Sequence, residues 1–177
     1  MRMLLSLAAC LITSALAVFP DEAYHVDYHH ALLGFPQRQT TFFHQPHPNS
    51  KASLIYTLSE RGVIGAVNPK DGSLIWRQFL SPNSTIRGGF LKAGEGQNTV
   101  VSATSNIIAA WGASEGRLVW ESRTRGGKIK DVEVLESNAI EAAEIKDIIA
   151  VIEHGQTYVK RLDGKTGKTL WTYVDER

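Results

Sequence analysis

Three observations predict an all-β chain. Gly72, Gly116 and Gly167 are each followed four places later by a tryptophan, at Trp76, Trp120 and Trp171. Each pair sits in the same frame: a short apolar run, a polar turn that ends in the glycine, then a strand that carries the ring. The rings stand 44 and 51 residues apart. A period of about 40–50 residues made of short strands marks the blade of a β-propeller.

The elements follow in chain order. Residues 1–17 open with Arg2, continue apolar from Leu4 to Leu16 and end in Ala15-Leu16-Ala17, the layout of a cleaved secretory signal peptide. That stretch is too short to cross about 30 Å of hydrocarbon, which takes roughly 20 residues. The expected mature chain, 18–177, has no later stretch long and apolar enough to span, and lies on the lumenal or extracellular side. Cys10 is the only cysteine and falls in the leader, so disulfides, thiolate zinc sites and cysteine nucleophiles are excluded from the mature chain. Of 19 Lys+Arg and 18 Asp+Glu, the leader holds one Arg and no acid, leaving 18 of each sign. A nucleic-acid binder would show a basic surplus. With 43% hydrophobic and 21% charged residues the chain has the composition of a globular fold.

Four strands are expected in each blade. The first blade, 35–80, takes Arg38–Phe43, Ser53–Leu58, Gly62–Val67 and Leu74–Leu80. The second, 81–124, takes Ile86–Leu91, Thr99–Ala103, Asn106–Trp111 and Arg117–Arg123. The third, 125–177, takes Ile129–Leu135, Asp147–Glu153, Thr157–Leu162 and Thr169–Val174. Asn138–Lys146, with helix-like spacing of Ala139, Ala142 and Ala143, reads as an insertion that lengthens the second interval. Tyr28 precedes Trp76 by 48 residues, so 27–34 is expected to be an outer strand that seals the ring against a last blade. Three blades fall short of the roughly 4–8 of a closed ring, so the chain reads as the N-terminal part of a longer protein or a truncated product.

Within each hairpin the glycine reverses the chain with a positive φ. Strict alternation then puts Leu74 with Trp76, Leu118 with Trp120 and Thr169 with Trp171 on one face. The three rings are expected to fill the wedges between neighbouring sheets. The third blade's outer face is expected to leave Val132, Val134, Ile149 and Val151 partly uncovered.

Candidate chemistry is sparse. His25, His29, His30, His44 and His47 cluster in the N-terminal third, but the prolines of His44-Gln45-Pro46-His47-Pro48 forbid a helix, and His29 and His30 point to opposite faces of a strand. Asp71, Glu115 and Asp163 lie beside hairpin glycines and read as turn formers. Gly88-Gly89 and Gly126-Gly127 lack the phosphate-loop pattern. Arg123, Arg125, Lys128 and Lys130 read as a solvated loop, with contact to acidic partners or lipid headgroups as the alternative. No catalytic, cofactor-binding or metal-ligating residue is assigned. Asn83-Ser84-Thr85 is a glycosylation sequon.

Two resemblances add to this. Asp163-x-x-Thr166-Gly167-x-x-x-Trp171 resembles the repeat of quinoprotein-type (PQQ-like) propellers; Asn68-x-x-Asp71-Gly72-x-x-x-Trp76 is a near copy, and the second blade departs from it at Gly112 and Glu115. Further, the leader followed by Asp27-Tyr28-His29-His30-Ala31-Leu32-Leu33-Gly34, the run Leu54–Glu60, Ala66–Ser73 and Trp76-Arg77-Gln78 resemble the subunit-1 family of the endoplasmic reticulum (ER) membrane protein complex in its fungal form. That resemblance implies a non-enzymatic lumenal propeller that supports insertion of transmembrane proteins. It also implies other subunits of that complex as partners, no cofactor, and a C-terminal membrane anchor beyond this sequence. Two alternatives are a quinone-dependent dehydrogenase, whose family uses calcium and often a vicinal cysteine pair, and a lumenal stress-sensor domain. Expression in a secretory host is expected to yield one glycan, so endoglycosidase H should shift the wild-type chain and leave Asn83→Gln unshifted.

Overall fold

The computed structural model describes residues 33–46, 53–80, 89–136 and 145–175. The leader, most of the strand expected over 27–34, the sequon at Asn83, the histidines at 25, 29, 30 and 47 and most of the insertion expected at 138–146 lie outside the described residues.

Among the described residues, twelve strands form three four-stranded antiparallel sheets. The first sheet holds β1 (Pro36–His44), β2 (Leu54–Ser59), β3 (Val63–Val67) and β4 (Leu74–Phe79), paired in that order. The second holds β5 (Gly89–Ala93), β6 (Thr99–Thr104), β7 (Ile107–Gly112) and β8 (Leu118–Arg123). The third holds β9 (Lys128–Val134), β10 (Ile148–His154), β11 (Gln156–Leu162) and β12 (Thr169–Asp175). Each sheet is a meander, and the opening strands β1, β5 and β9 approach one another in succession. The sheets therefore stack as blades with their first strands innermost. The strand expected at Ile86–Leu91 is described from Gly89 and runs on to Ala93, two residues further than the apolar pattern indicated.

The middle strands of the first two sheets are largely covered on both faces, so β3 is buried throughout and β6 and β7 at all but their first residue, whereas β11 of the third sheet is buried only at Leu162. One core joins the first two sheets through Tyr56, Leu58, Ile64, Ala66 and Trp76 against Leu91, Val100, Ala109, Trp111 and Ala113. A second core joins the next two through Val101, Ala103, Ile108, Ala110 and Trp120 against Ile129, Val132, Ile148, Ala150, Ile152 and Leu162. A third packs Leu33 on Val63 and Val67. Gly65 makes room for Leu33, because a Cβ there would lie 2.7 Å from the Leu33 Cδ2.

Two expectations about faces are corrected. Trp76 lies opposite Ala66 while Leu74 lies opposite Val67, with Ile75 inserted between them as a β-bulge. The same bulge recurs at Val119 and at Leu170. The extra residue reverses the parity of the strand. Leu74, Leu118 and Thr169 therefore face away from the tryptophans they were expected to accompany. Similarly, Val132 pairs with Ala150 and is buried against the second sheet, whereas Ile149 and Val151 belong to the opposite, half-buried face.

Candidate functional site

The seams between sheets carry the specific polar chemistry of this molecule. Each β3–β4 type turn is closed the same way. The amide of Gly72 donates to the Asn68 carbonyl (2.8 Å), that of Gly116 to Gly112 (2.7 Å) and that of Gly167 to Asp163 (2.8 Å). The three glycines have φ of 68°, 68° and 69°, a conformation that a side chain disfavours. In the first turn the Asp71 Oδ1 accepts from the Ser73 amide (2.9 Å) and hydroxyl (2.7 Å). In the third the Asp163 Oδ1 accepts from the amides of Lys165 and Thr166 and from the Thr166 hydroxyl. These bonds hold the pKa of both carboxyls below the ordinary value: the Ser73 amide and hydroxyl act on Asp71, and the Thr166 hydroxyl and amide on Asp163.

The second and third turns each receive the ring of the preceding sheet. The indole of Trp76 lies on Gly116, where a Cβ would come within 2.4 Å of the Trp76 Cδ2, and its Nε1 donates to the Ala113 carbonyl (2.7 Å). Trp120 repeats this on Gly167, with 2.4 Å to its Cε3, and donates to the Gly164 carbonyl (2.7 Å). The two rings are 7% exposed, whereas Trp171, the third copy, is 44% exposed. The Ala113 carbonyl also accepts from the buried Tyr56 hydroxyl (3.0 Å), and burial pushes the Tyr56 phenol well above its ordinary pKa.

A polar cluster at the same end of the strands ties all three sheets together. His44, at the end of β1, places Nε2 2.7 Å from the Gln97 carbonyl. A carbonyl only accepts, so Nε2 carries the proton of the neutral ring. Burial pulls the His44 pKa down, against the opposing pull of the Gln97 carbonyl and the Glu136 carboxylate. The Gln97 side chain accepts from the Lys146 amide (3.3 Å), and the Lys146 ammonium donates to the Glu95 carbonyl (3.0 Å) and pairs with Glu136. Burial raises the Glu136 pKa, but the Lys146 ammonium and the Glu95 amide together outweigh it and leave the carboxyl below its ordinary range. Beside it, Asp147 accepts from Arg161 (2.8 Å) and from the Gly164 amide (3.1 Å). Gln97, Tyr56 and the second-position carbonyls of the turns were not legible as site residues. The one sequence signal was the small or cyclic residue at that turn position: Pro69, Ala113 and Gly164.

The basic run from 123 to 130 is partly matched by acids, with Arg123 on Glu121 (2.8 Å) and Lys130 on Glu153 (2.5 Å). Among the described residues no group of three His, Cys, Asp or Glu side chains is placed to hold a metal ion, and no helix is long and apolar enough to cross a membrane.

Stacked four-strand meanders, latched ring on glycine at each seam, define a β-propeller. The chain belongs to the family described as the EMC1 N-terminal beta-propeller domain, which matches residues 17–176. A curated relative, ER membrane protein complex subunit 1 of Schizosaccharomyces pombe, is 25% identical over 123 residues, which cover 70% of this chain and 13% of the relative. The chain thus spans about an eighth of the length of that relative. Among solved structures, the quinohemoprotein alcohol dehydrogenase ADHIIG of Pseudomonas putida HK5 is similar with a TM-score of 0.52 and 19% identity over 68% of this chain and 19% of its own. The computationally designed Ika4 protein has a TM-score of 0.54 and 15% identity over 82% of this chain and 80% of its own. At such identities these likenesses show the fold.

Two outcomes are expected from these seams. Trp120→Ala should lower stability by about 3–5 kcal/mol, the range for a large aromatic removed from a core. Trp171→Ala should cost about 1 kcal/mol or less, as for a half-exposed site; chemical denaturation of the two variants measures the contrast. The second outcome concerns acid. Because His44 has a lowered pKa in the fold, the unfolded chain binds its proton more readily. The contribution of His44 is therefore complete above its ordinary value of 6.5 and is lost as pH falls from there through the folded value. Melting curves between about pH 7 and 5 should show a smaller acid loss for His44→Gln than for the wild type.

Proposed function

We propose that this chain is a lumenal, non-catalytic scaffold region of the ER membrane protein complex, where it supports insertion of transmembrane proteins by giving other subunits a rigid docking surface. The observation that carries this reading is the family match over residues 17–176. The seam chemistry supports it. The carboxylates of Glu136 and Asp147 and the ring of His44 are committed to bonds between or within sheets, which rigidify the scaffold. In this reading residues 1–17 are the cleaved leader, 27–34 the ring-closing strand, and 35–80, 81–124 and 125–177 successive blades. Asn83 carries a glycan, and Gly72, Trp76, Gly116, Trp120, Gly167 and Trp171 are structural. Membership is tested by affinity capture of the tagged chain from detergent-solubilised ER membranes. Mass spectrometry should recover other subunits of the complex in constant proportion; a chain recovered without them rejects the reading.

A further inference from the structure

We propose that the β5–β6 turn, residues 94–98, is an acid-released clasp. A proton taken up by the His44 ring frees the turn from the first sheet and loosens the seat of Trp76, while the seam between the second and third sheets stays closed. Two consecutive residues of the turn make the joint. The Gln97 carbonyl accepts from Nε2 of His44, at the end of β1 (2.7 Å). Asn98 holds the turn that follows β7: its carbonyl accepts from the Ala113 amide (3.0 Å) and its Oδ1 from the Ser114 hydroxyl (2.8 Å). The Ala113 carbonyl in turn receives the Trp76 indole and the Tyr56 hydroxyl. The His44 ring and the seat of Trp76 are thus joined through adjacent residues.

The ring is half-buried beside Tyr56, with 5.7 Å between ring centres. In the neutral form its Nε2–H meets the carbonyl and no charge is taken out of water. The other ionisable groups of the cluster are Tyr56 on β2, Glu95 in the turn, Glu136 after β9 and Lys146 before β10. Of these side-chain types only the imidazole ordinarily changes charge between pH 5 and 8. Glu136 draws a proton toward the ring, but its carboxylate is already committed to the Lys146 ammonium and the Glu95 amide. An imidazolium therefore keeps more of its hydration outside the seat than in it, and acid favours the open turn. The neighbouring seam has a different trigger group. In the turn that seats Trp120, the Gly164 amide is held by the Asp147 carboxylate, itself paired with Arg161. His154 lies on Gly126, at the opposite end of the strands.

Hydrogen exchange read at single amides of the chain between pH 7 and 5, corrected for intrinsic rates, tests the clasp. Opening at Ala113 should rise with acid by up to about tenfold per pH unit, the limit for one proton. Gly164 should keep its protection. NMR of the His44 ring should give a titration in the same pH window as the change at Ala113. His44→Gln should flatten the Ala113 profile, and the wild-type measurements stand by themselves if that variant does not fold. Protection at Ala113 that is unchanged or increased by acid overturns the proposal. So does a ring titration that leaves Ala113 untouched, or a His44→Gln chain with the wild-type acid response. A loss shared equally by Ala113 and Gly164 overturns it as well, because it marks global unfolding and not a local opening.

Discussion

The contact on which this structure depends is an indole ring laid flat on a glycine of the next sheet, with its N–H aimed at a carbonyl three residues earlier in the same turn. Three constraints meet there. The turn needs a positive φ at its last residue, the ring needs a surface without a Cβ, and the buried N–H needs an acceptor. A glycine satisfies the first two together, and the turn geometry exposes the carbonyl that satisfies the third. The β-bulge just before each tryptophan belongs to the same device. By adding one residue it turns the ring toward the following sheet and sends its predecessor to the face behind.

Much of the fold was legible because the device repeats. A glycine and a tryptophan at constant spacing fix where each hairpin reverses, and the remaining strands fall into place around that anchor as short apolar runs. The parity of the outer strands was not legible. Alternation assigns faces by counting residues, and a bulge changes the count by one without changing composition. Leu74, Leu118 and Thr169 were misassigned for this reason. Val132 was grouped with Ile149 although its cross-strand partner is Ala150, because pairing register cannot be read from either strand alone.

The polar cluster was less legible still. Its members come from three sheets, separated by about fifty residues from one another in the chain, as His44 is from Gln97 and Gln97 from Lys146. Gln97 contributes a backbone carbonyl to one neighbour and a side-chain oxygen to another, and nothing in the local sequence marks such a residue. Small turn residues at Ala113 and Gly164 were visible, but their significance lies in carbonyls that every residue possesses. Side-chain patterns reveal where a chain bends; they say little about which main-chain oxygen a distant ring will find.

The two seams are alike in their latch and unlike at their centres. At the position opposite the tryptophan, the first two sheets carry Ala66 and Ala110, and the third carries Arg161. Beside them, the first sheet brings the phenol of Tyr56 to the shared carbonyl, whereas the corresponding strand of the second brings Val101. A blade moved to another position in the stack would thus bring a phenol where the other seam carries a valine, or a valine where this one carries a phenol. Tandem copies of a near-identical unit are prone to exchange neighbours while they fold. Here the mismatched centres act as an address for each unit, so that a generic latch can be reused while the order of assembly stays unique.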